Sequence, residues 1–406
     1  MKILYHHRIA SKDGQYVHVE ELTRALSELG HELVMVGPRA TSQADFGSAG
    51  GIVALIKRWL PKFVYELLEL GYSVVAYRRL VRAIVEHHPD CIYERYNLYM
   101  PAGIWAKRRF HLPLLLEVNA PLFDERTRYG GIAFPRLARW TETFTWHGAD
   151  AVLPVTEVLA ARVRAAGVAA SRIHVIPNGI DPRRFQPADT NAAKKALGLT
   201  GKLVLGFTGF VREWHGLEHV VDIVAKNEGD SRHLLIVGDG PARQSIEQRA
   251  ARLGVKDRVT ITGIIGRDEV ARYINTFDVA LQPDVVDYAS PLKLFEYLAL
   301  GKAVVAPAKA NIREVLRDGQ NAVLFAPETM GAFAAAVERL CREPALRAAL
   351  GRAGLETIER GGYTWRHNAG RVESLFRQLG VTNGDPPHST ATAPQQPERT
   401  RDQSTS

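Results

Sequence analysis

The stretch Ser290-Pro291-Leu292-Lys293-Leu294-Phe295-Glu296-Tyr297-Leu298-Ala299-Leu300-Gly301-Lys302-Ala303-Val304-Val305 decides the fold. Serine is a good N-cap and proline fits the first helical position, so a helix is expected to open at Pro291. Gly301 ends it, and Ala303–Ala306 reads as a short buried strand. Helix, glycine, buried strand is part of a βαβ unit in a parallel sheet. The N–H groups around Leu292 and Lys293 are free for an anion, and Lys293 adds charge. Glu296 lies three residues on, on the same helix face. A carboxylate there can accept both hydroxyls of a ribose. The alternative, an exposed helix carboxylate, is disfavoured because Phe295 and Leu298 mark the buried side.

Working outward, the strand–helix alternation continues in both directions. Strands are expected at Lys202–Thr208, Arg232–Val237, Val259–Thr262 and Val279–Gln282, with helices between them. After the first comes Gly209, a loop from Phe210 to His215, and a helix starting near Gly216. Arg212 and His215 in that loop can reach a diphosphate; alternatively Trp214 and His215 pack and cap. Ile236 to Pro241 is a second strand ending in a glycine turn, at Gly238, before a helix over Ala242–Leu253. Alone that turn is a weak signal, since many α/β proteins contain one.

The first half repeats the pattern. Lys2–Tyr5 is a strand, Gly14 lies in a loop, Val17–Leu29 is a helix, Gly30 ends it and Glu32–Val36 is the next strand. Residues 51 to 88 read as helical, and Ile52, Leu55, Ile56, Trp59 and Leu60 form an apolar stripe beside Lys57 and Arg58. Such a stripe serves core packing or membrane contact. Cys91–Glu94, Leu112–Val118 and Ile173–Ile176 read as further strands. Pro177-Asn178-Gly179-Ile180-Asp181-Pro182 is turn punctuation and marks the boundary between two doubly wound domains. Residues 381–406, rich in Thr, Ser, Pro and Gln without apolar periodicity, read as a disordered tail.

Composition agrees with this and narrows the function classes. The chain has 406 residues, 46% hydrophobic and 24% charged, an ordinary globular balance for two or three domains. Two cysteines, Cys91 and Cys341, make neither a disulfide framework nor a cysteine zinc site and fit a reducing compartment. The chain opens straight into a strand, so no signal peptide is expected. No apolar run approaches the ~20 residues that span a bilayer. The net charge is +8, and residues 57–139 hold fourteen basic against eight acidic side chains. That face suits anionic lipid, or is simply solvated. Without a zinc-finger, RRM or basic-zipper pattern, no nucleic acid is expected as partner.

These residues resemble the donor domain of glycosyltransferase family 4, retaining enzymes of GT-B architecture. Carrying the resemblance are Val175-Ile176-Pro177-Asn178-Gly179-Ile180-Asp181, Ile236 to Pro241, Val259 to Gly263 and Ser290 to Val305. Asp13-Gly14-Gln15 and Gly30-His31-Glu32-Leu33 carry it more loosely in the first half. The resemblance implies an α/β fold of two Rossmann-like domains facing across a cleft. Residues 1–180 would form the acceptor-side domain and 181–362 the nucleotide-sugar domain. Residues 363–380 would cross back as a helix, over Trp365 to Leu379. It implies ribose contact at Glu296 and diphosphate contact over Ser290, Pro291, Leu292 and Lys293. Gly14, Gly209 and Gly238 would lie near the phosphates, and Ile264 and Ile265 would hold the base. No metal or other cofactor is implied.

Three departures from the family pattern stand out. Tyr288 stands where a glutamate usually contacts the transferred sugar. Phe210 and His215 stand where the loop Arg and Lys usually lie, leaving Arg212 to supply the cation, with His215 binding diphosphate more weakly at high pH. Asn119 replaces the usual acceptor-side histidine; it cannot act as acid or base but can hydrogen-bond the sugar. Glu117 is either the nearby catalytic carboxylate or a strand-end residue without catalytic duty. The expected catalytic set is therefore Asn119, Glu117, Arg212 and Lys293. The expected reaction is retaining sugar transfer from a nucleotide-sugar to a glycan or lipid-linked acceptor. Its expected setting is cell-surface glycan assembly, in the cytoplasm or peripheral at the inner membrane face. A same-fold epimerase and a non-catalytic sugar-nucleotide-binding subunit are the rival readings.

Overall fold

In the computed structural model, which describes residues 1–9, 14–38, 61–226 and 231–382, the apolar runs of the first half form five parallel strands. They are β1 (Lys2–His6), β2 (Glu32–Val36), β3 (Cys91–Arg95), β4 (Leu114–Val118) and β5 (Ala151–Pro154), in the order β2-β1-β3-β4-β5. Helices α1 (Gly14–Glu28), α2 (Lys62–His87), α3 (Ala102–Phe110), α4 (Leu122–Tyr129), α5 (Pro135–Gly148) and α6 (Glu157–Ala165) cover this sheet. Every residue of β3, β4 and β5 is buried, as central strands sandwiched by helices require. Asp13, the stripe from Ile52 to Leu60 with Lys57 and Arg58, and residues 383–406 lie outside the described residues.

The second half forms a six-stranded parallel sheet in the order β11-β10-β9-β6-β7-β8. Its strands are β6 (Leu203–Thr208), β7 (Arg232–Val237), β8 (Val259–Ile261), β9 (Val279–Leu281), β10 (Ala303–Pro307) and β11 (Val323–Phe325). The helices are α7 (Thr190–Ala196), α8 (Glu218–Ala225), α9 (Arg243–Arg252), α10 (Arg267–Ile274), α11 (Leu292–Ala299), α12 (Ala310–Arg313), α13 (Ala332–Arg342) and α14 (Pro344–Gly361). Two α/β domains with parallel sheets give the GT-B architecture. Strand order reverses beside β1 in one sheet and beside β6 in the other, between β6 and β9. Crevices at the carboxyl ends of such strands are where open α/β sheets bind ligands.

The last helix, α15 (Trp365–Gln378), belongs to the second half in sequence but packs on the first sheet. Trp365, Ala369, Val372 and Phe376 share a core with Ile3, Tyr5, Leu22 and Leu26. Burying each large side chain there contributes roughly 1.5–3 kcal/mol. Val381, read as the first residue of the tail, is buried against this core, and its N–H donates to Phe376 O at 3.0 Å. The return helix crosses the outgoing strap: Ile180 N–H donates to Tyr363 O at 3.0 Å, and Trp365 N–H to Ile180 O at 3.2 Å. A Cβ on Gly179 would sit 2.7 Å from the Thr364 carbonyl carbon, so only glycine allows this crossing.

Other sequence expectations need correction. Ile173–Ile176 is not a ladder strand; it runs along β5 through a bridge at Ile173 and N–H donations from His174 and Ile176. Pro177, which has no N–H, stops the pairing there. β5 and β11 carry too few residues to show alternation and escaped sequence reading. The strand expected from Leu112 starts at Leu114, after Pro113. Pro291 is the N-cap of α11, not its first helical residue. Among the described residues no helix is long and apolar enough to cross a membrane.

Candidate functional site

The site is built where β6 and β9 part. Gly209 follows β6 with φ +116°, and Gly238 follows β7 with φ +143°, conformations that L side chains rarely adopt. A Cβ on Gly238 would lie 2.2 Å from the Gly209 carbonyl oxygen, so the two turns stack backbone on backbone. Val211 N–H ties them further, donating to Asp239 O at 2.9 Å. The result is an open backbone floor.

Helix α11 meets this floor through Lys293, in its first turn. No side chain caps it, so the first-turn N–H groups at Leu292 and Lys293 are available to an anion. The Lys293 ammonium lies 3.9 Å from the Phe207 ring centroid, and a Cβ on Gly209 would sit 3.5 Å from it. Burial lowers the Lys293 pKa to about 7, against the smaller opposing pull of Glu296. Glu296 is buried one turn along; burial raises its pKa, while Arg267 and Lys293 pull it back. Arg267 Nη1 lies 3.7 Å from Glu296 Oε1, and its Nε donates to Glu21 Oε1, on α1, at 3.2 Å. One guanidinium therefore bridges the two domains beside the expected ribose contact.

His215 is placed at the site but not as a cation. It is buried against Phe207 and Trp214, and its Nδ1 accepts the Arg212 N–H at 3.1 Å. Burial, then the charges of Lys293 and Arg212, lower its pKa to about 3. The ring is neutral at pH 7, with its proton on Nε2. The expected weakening of diphosphate binding at high pH through His215 is thus withdrawn. Arg212 is exposed, its guanidinium stacked on Phe210, 4.9 Å from the ring centroid.

Across the cleft the expected acceptor-side residues separate in role. Asn119 follows β4, and its Oδ1 is buried with no hydrogen-bond partner among the described residues. Glu117 presents no free carboxylate. Its oxygens accept from His18 Nε2 at 2.8 Å, Tyr93 OH at 2.7 Å and Arg95 Nη1 at 2.7 Å. Burial pushes its pKa up, but the His18 and Arg95 charges and these bonds outweigh it and hold it at about 2. The strand-end reading is therefore the one the geometry favours. Ile264 is exposed, while Ile265 packs against the second-domain core; both lie beyond β8. Gly14 is the first residue of α1.

Sequence reading missed the residues that join the halves. Asn178, read as turn punctuation and as part of the resemblance motif, donates its N–H to Ser290 Oγ at 3.0 Å and its Nδ2 to Ser290 O at 2.6 Å. Tyr288, at the departed sugar position, donates its hydroxyl to Glu125 on α4 and accepts at its carbonyl from Thr156 Oγ1 at 2.9 Å. Glu21 is buried and shared by Arg24, Arg184 and Arg267. No local signal marks these contacts, because each partner is more than 100 positions away or lies on a helix face that reads as ordinary.

Comparison with known proteins agrees. A family model described as "Glycosyl transferase 4-like domain" matches residues 13–179, and one described as "Glycosyl transferases group 1" matches residues 202–343. A 2-deoxystreptamine glucosyltransferase of Streptomyces kanamyceticus is 28% identical over 373 residues, 84% of this chain and 93% of that protein. D-inositol 3-phosphate glycosyltransferase 2 of Catenulispora acidiphila is 26% identical over 374 residues, 86% of this chain and 87% of that protein. Among solved structures, sucrose-phosphate synthase from Thermosynechococcus elongatus matches with a TM-score of 0.72 at 19% identity, covering 94% of this chain and 99% of that one. Anabaena HepE in complex with UDP-glucose matches with a TM-score of 0.70 at 18% identity, covering 93% and 100%. The two family models span most of the chain between them and fall on its two sheets. The chain belongs to the GT-B glycosyltransferases of the family 4 type, and it is an enzyme that transfers sugars.

Proposed function

We propose that the enzyme moves a sugar from a nucleotide-sugar donor to an acceptor hydroxyl with retention at the anomeric carbon, without a metal. One observation carries the donor half: the uncapped N-terminus of α11, with Lys293 beside the Gly209–Gly238 floor and Glu296 one turn along. The leaving diphosphate meets the N–H groups of Leu292 and Lys293, the Lys293 ammonium, Arg212 and the Nε2–H of His215. These stabilise negative charge as it develops. Glu296 accepts the ribose hydroxyls. Asn119 is neither an acid nor a base, and Glu117 is committed to His18, Tyr93 and Arg95. A mechanism in which the leaving phosphate takes the acceptor's proton fits this pair, and such a mechanism gives retention. Cleft closure excludes water and limits hydrolysis.

The acceptor is a hydroxyl of a glycan or lipid-linked glycan, met at an anionic membrane surface on its cytoplasmic side. Support comes from the outward face of α2, where Phe63, Leu67, Leu68, Val74 and Val75 are exposed and Arg78, Arg79 and Arg82 follow. The cyclitol acceptors in the names of the two curated relatives favour a second reading, a free polyhydroxylated ring. Vesicle flotation with anionic and neutral lipid separates the two.

The donor test is a thermal-shift titration with UDP, GDP, ADP and their sugar conjugates, with and without EDTA. A ligand at ~100 times its dissociation constant adds about 2.7 kcal/mol of stability, a visible shift. We expect a base-selective, EDTA-insensitive shift that Glu296→Ala removes. No shift with any nucleotide would overturn the donor reading in favour of a different sugar source.

A further inference from the structure

His18, on α1, is buried, and each of its ring nitrogens faces an acceptor. Nε2 lies 2.8 Å from Glu117 Oε2, and Nδ1 lies 2.6 Å from Asn178 Oδ1. The Asn178 amide cannot be turned over. Its Nδ2 donates to the Ser290 carbonyl at 2.6 Å, and the reverse orientation would set two oxygens face to face. Glu117 is an ionised carboxylate that already accepts from Tyr93 and Arg95. With an oxygen acceptor on each side, the ring needs a proton on both nitrogens. The remaining neighbours do not compete for it. Trp365 of α15 meets the ring edge-on at 4.9 Å, Leu22, Leu153 and Ile176 are apolar, and Asn368 donates its Nδ2 to the Pro177 carbonyl at 2.7 Å. Tyr5 lies behind, stacked on Tyr93. Arg95 and Glu117 are the charged groups on the strands beneath.

This chain of bonds runs from β4 of the first domain, through α1 and the interdomain strap, to Ser290, two residues before α11. We propose that His18 is a positioning residue for sugar transfer: doubly protonated and clasped between Glu117 and Asn178, it holds Ser290 and the start of α11 in register with the acceptor-side domain. The inference rests on α11 as the donor-phosphate site. Its consequence is that donor binding and the acceptor-side sheet are mechanically joined at one buried ring. Misplacement of the phosphate loop by ~1 Å is enough to cost about 100-fold in rate.

The test uses the full chain and whichever of UDP, GDP and ADP binds the wild type tightest. Calorimetric titration compares wild type, His18→Gln, Asn178→Ala and the double variant. Each single variant is expected to weaken binding about tenfold, the loss of one charge-assisted or buried hydrogen bond. The double variant should bind no more weakly than the weaker single, because both cut one chain. Donor KM should rise while acceptor KM holds. Long-range proton–nitrogen NMR spectra, taken under the conditions of the titration, should show a proton on each His18 nitrogen. Should His18→Gln fail to fold, Asn178→Ala carries the titration, since it leaves the Glu117–His18 pair intact. Binding within twofold of wild type in a folded variant, additive losses, or a single protonated nitrogen would each overturn the proposal. A wild type that binds none of the three nucleotides sinks the donor reading instead, and the spectra alone then decide the state of the ring.

Discussion

Lys293 makes the sharpest test of the electrostatics. Its half-buried side chain sets the ammonium on the Phe207 ring, and desolvation lowers its pKa from an ordinary 10.5 to about 7. At pH 8 about one free enzyme in ten then carries the charge. A bound diphosphate favours the ammonium, so binding at pH 8 draws roughly 0.9 proton from solution. Affinity should accordingly fall about tenfold per pH unit above 7, until the pKa of the complex is passed. Isothermal titration in two buffers of different ionisation enthalpy reads the proton count directly. Lys293→Arg keeps a permanent charge, so the uptake should vanish and the pH dependence flatten. Lys293→Met should bind weakly at every pH. The free protein gives a second reading. A lysine whose folded pKa is depressed contributes stability that is full above pH 10.5 and lost as pH falls through 7. Lys293→Met should therefore be the more stable protein at pH 6, by at most about 5 kcal/mol. Proton uptake below ~0.2 at pH 8, or uptake unchanged in Lys293→Arg, would refute the reasoning.

Three other outcomes are expected. His7, His215 and His233 have pKa values lowered by burial to about 4, 3 and 4, so their contribution to stability is present above pH 6.5 and lost as pH falls toward 4; the melting temperature should drop over that window, and less steeply in His233→Gln. Glu142 has its pKa raised by burial to about 7, with Tyr96 OH donating to it at 2.9 Å; its contribution is full below pH 4.5 and lost as pH rises through 7, so Glu142→Gln should raise the melting temperature at pH 8 and do nothing at pH 4. Gly238→Ala drives a methyl group into the Gly209 carbonyl at a positive φ; a loss of about 3 kcal/mol and of nucleotide binding is expected in denaturant titration and calorimetry.

Much of the architecture is legible from local pattern. The run from Ser290 to Val305 carries its helix-opening proline, its apolar face, its glycine stop and a buried strand, all within 16 residues. The same punctuation at Gly30, Gly209 and Gly238 announces parallel α/β units, because backbone sterics and hydrophobic periodicity act over a few residues. That logic also placed Lys293 and Glu296 on one helix face, and the structure sets both at the β6–β9 parting. Short strands such as β11, and the edge stretch Ile173–Ile176, carry too little pattern for the same logic to work.

Charge state and partnership were decided only by the tertiary structure. His215 reads as a cation, yet burial between Phe207 and Trp214 leaves it neutral. Glu117 reads equally as a catalytic carboxylate or an idle strand-end residue, and only the fold shows His18, Tyr93 and Arg95 consuming it. His18 reads as one more helix residue, yet it joins a strand end to Asn178, 160 positions away. Helices and strands follow from what neighbours along the chain can do. Ionisation depends on the dielectric and the partners that folding assembles, and those come from distant segments.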